Sequence, residues 1–111
     1  MMPVRFHPHA QAEMAHAAAW YEAQQGNLGR RFLAAVQDAI NRIQINPGLY
    51  PLIEGDVRRC LTKVFPYGIL FRIMPSGIAI MAVMHLHREP GYWKDRRIEP
   101  DGPANPAPPG S

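Results

Sequence analysis

The chain has 111 residues, 47 % of them apolar, which suits one globular domain and excludes a disordered chain. It offers no apolar run near the roughly 18 residues of a membrane helix, no signal-peptide core at its start, and one cysteine, Cys60; an intrachain disulfide or thiolate cluster is excluded, and cytoplasmic residence is expected. The formal charge of +3 is uneven: residues 58–97 carry eight Lys/Arg against Glu89 and Asp95, which suits a polyanionic partner or an acidic protein segment.

Val4-Arg5-Phe6 alternates and is closed by Pro8, so it reads as a short strand. From His9 to about Gln25 the chain is rich in alanine and lacks Pro and Gly; Ala10, Met14, Ala17 or Ala18, and Tyr21 recur at helical spacing. Gly26-Asn27 breaks that helix, with Asn27 placed to cap the next one. Leu28, Phe32, Val36, Ile40 and Ile43 line one face of a second helix, which Asn46-Pro47-Gly48 stops. Residues 51–56 read as a loop turning at Glu54-Gly55-Asp56. Three strand-like runs follow, at 57–64, 67–74 and 78–87, separated by Phe65-Pro66 and Pro75-Ser76-Gly77. In the second, Ile69, Phe71 and Ile73 share one face and Arg72 takes the other. The third is apolar on both faces and belongs inside the sheet. The expected class is α+β, in the order β-α-α-β-β-β, with a helical hairpin packed on a small, mainly antiparallel sheet. Residues 1–97 are expected to form the single domain, and 98–111, with five prolines, a disordered tail.

Three stretches in this order resemble the RelE/ParE superfamily of type II toxin–antitoxin systems. The first is Ala18-Ala19-Trp20-Tyr21-Glu22 followed by Leu28-Gly29-Arg30-Arg31-Phe32-Leu33, similar to the family's helical hairpin. The second is Asn46-Pro47, then Tyr50-Pro51, then Val57-Arg58-Arg59. The third runs from Phe65-Pro66-Tyr67-Gly68-Ile69-Leu70-Phe71-Arg72 to Ala82-Val83-Met84-His85-Leu86-His87-Arg88-Glu89-Pro90 and Trp93. The resemblance implies a growth-inhibiting toxin neutralised by a cognate antitoxin that wraps around it in a hetero-oligomer. The target it implies is DNA gyrase, bound protein to protein, or, in the ribonuclease branch, the translating ribosome and its mRNA. Where relatives tend to carry His-Gly-Arg-Arg-Asp, this chain has His85-Leu86-His87-Arg88-Glu89; Gly68 stands where the ribonuclease branch carries an arginine. Arg59 and Lys63 are also a sparser cationic set than that branch favours on its second strand. These departures favour the ParE-like branch and a binding inhibitor over an enzyme; a retained fold without toxicity is the remaining alternative.

A metal-free ribonuclease needs a base, an acid and cations around the phosphorane. The catalytic candidates for it are Arg72, Arg88 and His85. Under the binding reading, Arg59, Lys63, Tyr67, Arg72, His87, Arg88 and Trp93 form the target- or antitoxin-binding surface, and an acidic antitoxin segment covers Arg72 and Arg88. For Tyr67, Tyr92 and Trp93 the plainer alternative is that they seal the sheet's edge. His85-x-His87 supplies two imidazoles where a structural zinc needs four ligands, so no metal and no cofactor are expected. Cys60 reads as a small apolar filler, and Ser76 and Ser111 offer no credible nucleophile.

Overall fold

The computed structural model describes residues 2–97, and the tail expected at 98–111 lies outside the described residues. The elements are β1 (Val4–Phe6), α1 (Pro8–Gln24), α2 (Leu28–Ile45), a short 3-10 turn (Pro47–Leu49), β2 (Leu52–Glu54), β3 (Val57–Leu61), β4 (Tyr67–Met74) and β5 (Gly77–His85). The sheet order is β1-β5-β4-β3-β2, with β1 parallel to β5 and every other pair antiparallel. No helix among the described residues is long and apolar enough to cross a membrane.

Pro8 opens α1 instead of merely closing β1, because the first helical position needs no N–H and welcomes a fixed φ. His7 is the cap, its Nδ1 accepting the His9 N–H at 3.0 Å. Asn27 is the N-cap residue of α2 as expected, but it sits in the left-handed region at φ 72 and its side chain makes no cap hydrogen bond. The side-chain acceptor comes from the preceding helix instead, Glu22 accepting the Asn27 and Gly29 N–H groups at 3.0 Å each. Gly29 lies where a Cβ would run into the Ala18 carbonyl, which is how the two helices approach so closely.

Phe32, Val36, Ile40 and Ile43 are buried as their spacing predicts, against Cys60, Ile69, Phe71, Ile78, Ile80 and Val83 of the sheet. Fully burying each large side chain of this set contributes about 1.5–3 kcal/mol. The Cys60 thiol is fully buried, and burial pushes its pKa up, so it is a filler and not a nucleophile.

The loop expected at 51–56 holds the edge strand β2. All three of its residues are exposed, so no core-facing alternation marks it; pairing of Leu52 with Arg58 and Glu54 with Val57 makes the strand. Along the β4/β5 ladder, Leu70 pairs with Ala82 and Phe71 with Ile80, leaving Met81 as the extra residue of a bulge. The bulge reverses the alternation of β5: Ile78 and Ile80 face the helices before it, Val83 after it. Ala82 and Met84 turn to the other face, where they join Val57, Leu70 and Trp93 in a second, smaller core.

β3 ends at Leu61, short of the expected 64, because Thr62 turns the chain: its Oγ1 donates to the Phe65 carbonyl at 2.8 Å. Phe65 N–H then bonds the Lys63 carbonyl at 2.8 Å around Val64, whose φ is 72. This is the rare γ-turn with positive central φ, and a β-branched residue there costs about 1–2 kcal/mol.

Candidate functional site

Two surface regions hold the polar and aromatic residues not consumed by the core. The first is a cleft of about 430 Å³ between α1 and the end of β5. Glu13, His16, Ala17 and Trp20 form its helical wall, at spacings of three, four and seven residues from Glu13. Tyr67, Val83 and His85 form its floor, and Arg88 and Tyr92 its far side. Trp20 is 56 % exposed, an indole with one side in the cleft and the other in solvent.

The cleft exists because β1 stops at Phe6 and leaves the outer edge of β5 unpaired beyond Ile80. The backbone groups of the bulge find side-chain partners there. Glu13 Oε1 accepts the Val83 N–H at 3.0 Å, and Arg96 Nη1 donates to the Met81 carbonyl at 3.0 Å. Glu13 and Arg96 in turn bind each other through two hydrogen bonds of 2.8 and 2.9 Å, with side chains only 18 % and 11 % exposed. Two cations lie over the Tyr92 ring, Arg88 at 4.0 Å and Arg96 at 5.0 Å from its centroid. Burial, reinforced by the Glu13 carboxylate, holds the Tyr92 phenol protonated far above its ordinary range. Burial raises Tyr67 as well, so both phenols are donors at neutral pH.

The structure brings together three of the sequence-predicted residues, Tyr67, His85 and Arg88. The Tyr67 and His85 rings meet edge to face at 5.1 Å, and His85 Nδ1 accepts the His87 N–H at 3.0 Å. Arg72 is elsewhere. It lies on the face away from the helices, five residues along β4 from Tyr67, and binds Asp56 Oδ2 through Nε and Nη2 at 3.1 and 2.9 Å. The catalytic trio Arg72, Arg88 and His85 is therefore not one constellation. Arg59 also takes that second face, its methylenes covering Gly68. Lys63 is exposed at the β3–β4 turn, 3.9 Å from Asp38. Trp93 is 6 % exposed in the second core, where it seals the sheet and has little surface to offer a partner. His87 is exposed in the turn after β5.

Sequence reasoning missed Glu13, His16 and Trp20. Their shared helical face was a legible signal, masked by alanines that let the same helix bury a neighbouring face.

The second region is convex. The Thr62–Pro66 turn projects Val64, which is 89 % exposed, and beside it lie the exposed Leu61 and Leu86. The Leu86 N–H bonds the Pro66 carbonyl at 2.9 Å, which draws the two turns together. No group of three or more His, Cys, Asp or Glu able to hold a metal occurs among the described residues.

A family model described as the ParE toxin of the type II toxin–antitoxin system parDE matches residues 4–90. Among the solved structures, a chain of the chromosomal ParDE toxin–antitoxin system from P. aeruginosa superposes with a TM-score of 0.59 at 21 % identity. That likeness covers 78 % of this chain and 97 % of the other, and at such identity it shows the shared fold. No curated protein sequence matches significantly. The family match runs from the first strand past the last and takes in both the cleft's floor and its helical wall, so this chain belongs to the ParE toxins of type II toxin–antitoxin systems.

Proposed function

We propose that this toxin arrests bacterial growth by binding DNA gyrase protein to protein, and that its antitoxin neutralises it by laying an acidic segment in the α1/β5 cleft. The acting unit is the single domain of residues 1–97, and its place of action is the cytoplasm, where gyrase works.

One observation carries the choice of a binder over a ribonuclease. One of the two arginines proposed to stabilise a phosphorane, Arg72, is held by Asp56 on one face of the sheet, while His85 and Arg88 line a cleft on the other. The cleft keeps Arg88 beside His85 and Tyr67 but loses Arg72, so the ribonuclease reading is left with one of the two arginines it needs around the phosphorane charge. For the antitoxin, the same pairing shifts the expected contact from Arg72 to Arg88. Arg88 stacks on Tyr92 and pairs with no carboxylate among the described residues.

Inducible expression in a bacterium tests the reading, with growth, a DNA-damage reporter and transcript ends in ribosome-bound mRNA followed together. Growth arrest with a damage response and intact transcripts is the expected outcome. Cleavage of translated mRNA without a damage response overturns it in favour of the ribonuclease, and normal growth at every expression level leaves a fold without toxicity.

A further inference from the structure

We propose that the Thr62–Pro66 turn, with Val64 at its tip, is the element this toxin inserts into a preformed apolar pocket, rimmed by carboxylates, on its protein target. The proposal rests on the binding-inhibitor reading above and names the part of the molecule that does the binding.

Val64 is the most exposed large apolar side chain of the described residues, at 89 %, and its backbone stands at φ 72. Among the described residues Asn27 is the other non-glycine residue with positive φ, and asparagine tolerates that region through its short polar side chain. Valine does not, since both its γ-methyls crowd the backbone. Folding gains nothing that would offset this: at this exposure the side chain has almost no packing in the protein. Glycine would serve the turn better, so the valine answers to something outside the fold.

The tip is also rigid. Thr62 Oγ1 donates to the Phe65 carbonyl at 2.8 Å and lies 3.2 Å from that of Tyr67. A second tight turn, Tyr67 N–H to the Phe65 carbonyl at 2.8 Å, closes around Pro66. The Phe65 ring is anchored against Tyr21 at 4.9 Å and Phe32 at 5.4 Å. A valine presented in one fixed conformation loses little entropy on docking, which is the advantage of preorganised contacts.

The surroundings indicate the partner's chemistry. Leu61 and Leu86 extend the apolar surface at this end of the sheet, and Lys63 and Arg59 flank it with positive charge. Convex, apolar and cation-edged, it complements a concave apolar site edged by acids. A flexible antitoxin segment suits the concave cleft instead, where it can fold into the groove as it binds. The occupant of the tip is therefore the toxin's target, a folded protein.

Val64→Gly removes the side chain and relieves the turn, so this variant folds at least as well as the parent. Expressed inducibly beside the parent, it is expected to lose growth arrest while its complex with the antitoxin keeps the parent's affinity. Val64→Ile restores the apolar contact and is expected to restore arrest. Arrest by Val64→Gly at the parent's expression level overturns the proposal. So does a matching loss of antitoxin affinity, which would make the tip an antitoxin contact, or a change in oligomeric state by light scattering, which would make it a contact between copies. Inhibition of purified gyrase by the parent is read separately. Its failure removes the gyrase reading, while the growth comparison still decides whether Val64 engages the target.

Discussion

The α1/β5 cleft and the Thr62–Pro66 turn lie at the same end of the sheet and are built on opposite principles. The cleft arises from an interrupted strand ladder, and its polar groups are satisfied internally by Glu13, Arg96 and the bulge at Met81. The turn is a completed connection whose backbone is strained at Val64 and whose side chain meets solvent. A surface that accepts a partner can leave its own polar network closed and offer shape, whereas a surface that inserts must hold an apolar group where folding would not put one. The two should therefore respond differently to substitution: the cleft loses stability as well as binding, whereas the turn loses binding while stability holds or rises.

The largest expected effect is on the cleft's foundation. Glu13→Gln leaves Arg96 charged in a nearly buried position, a defect worth about 3 kcal/mol after allowing for its partial exposure. In a domain of this size that lowers the thermal midpoint by on the order of 10–20 °C. Pairing it with Arg96→Met should recover part of the loss, because no unpaired charge then remains. Calorimetry on both variants checks this. A Glu13→Gln midpoint close to the parent's would mean that the ion pair is a surface ornament and that the cleft has some other support.

How far these regions could be read from the sequence follows from the same difference. The α2 stripe of Phe32, Val36, Ile40 and Ile43 was plain, since helical burial leaves a periodic trace. Strand β2 was not, because pairing alone makes it and none of its side chains reaches the core. The position of Arg72 on the sheet's other face was legible from alternation, yet its pairing with Asp56 was not, since it depends on how the β2–β3 turn folds back. Arg96 and Glu13 are 83 positions apart, and no local pattern links them. Val64 looked like the end of a strand; only its φ shows that the chain has already turned. Locally determined elements were readable, while both surface regions depend on long-range closure or on a single backbone angle.

A smaller effect separates binding at the cleft from binding at the turn. Trp20→Ala and Arg88→Glu remove an exposed indole and reverse an exposed charge, so each should lower the thermal midpoint far less than Glu13→Gln, with Arg88→Glu also giving up its contact with the Tyr92 ring, worth about 0.5–1 kcal/mol. Each should weaken antitoxin binding by about tenfold or more, as tryptophan and arginine do when they anchor an interface. Growth arrest without antitoxin should persist in both. Titration calorimetry against the antitoxin, run beside the growth comparison, gives the answer, and loss of arrest in Trp20→Ala would place the cleft in target binding and dissolve the contrast between the regions.

The smallest effect concerns pH and tests the support of the cleft's helical wall. His7 caps α1 with Nδ1 as an acceptor from the His9 N–H, which only the ring with an unprotonated Nδ1 can do. Burial first, then the nearby Arg96 and His9, lowers its pKa below the ordinary value of about 6.5, with Glu13 opposing. In the unfolded chain the imidazole takes up its proton near that ordinary value, while the folded protein resists. The unfolded state therefore binds more protons, so this contribution to stability is complete above pH ~6.5 and is lost as pH falls through the depressed folded value. His7→Asn keeps an acceptor that favours helix starts and does not titrate. Between pH 7 and 5 the parent should lose denaturant resistance more steeply than the variant, the difference isolating His7 from the carboxylates that titrate in both. Parallel pH profiles would show that the cap tolerates protonation, and the start of α1 would then be held by Pro8 and the β1–β5 ladder without it.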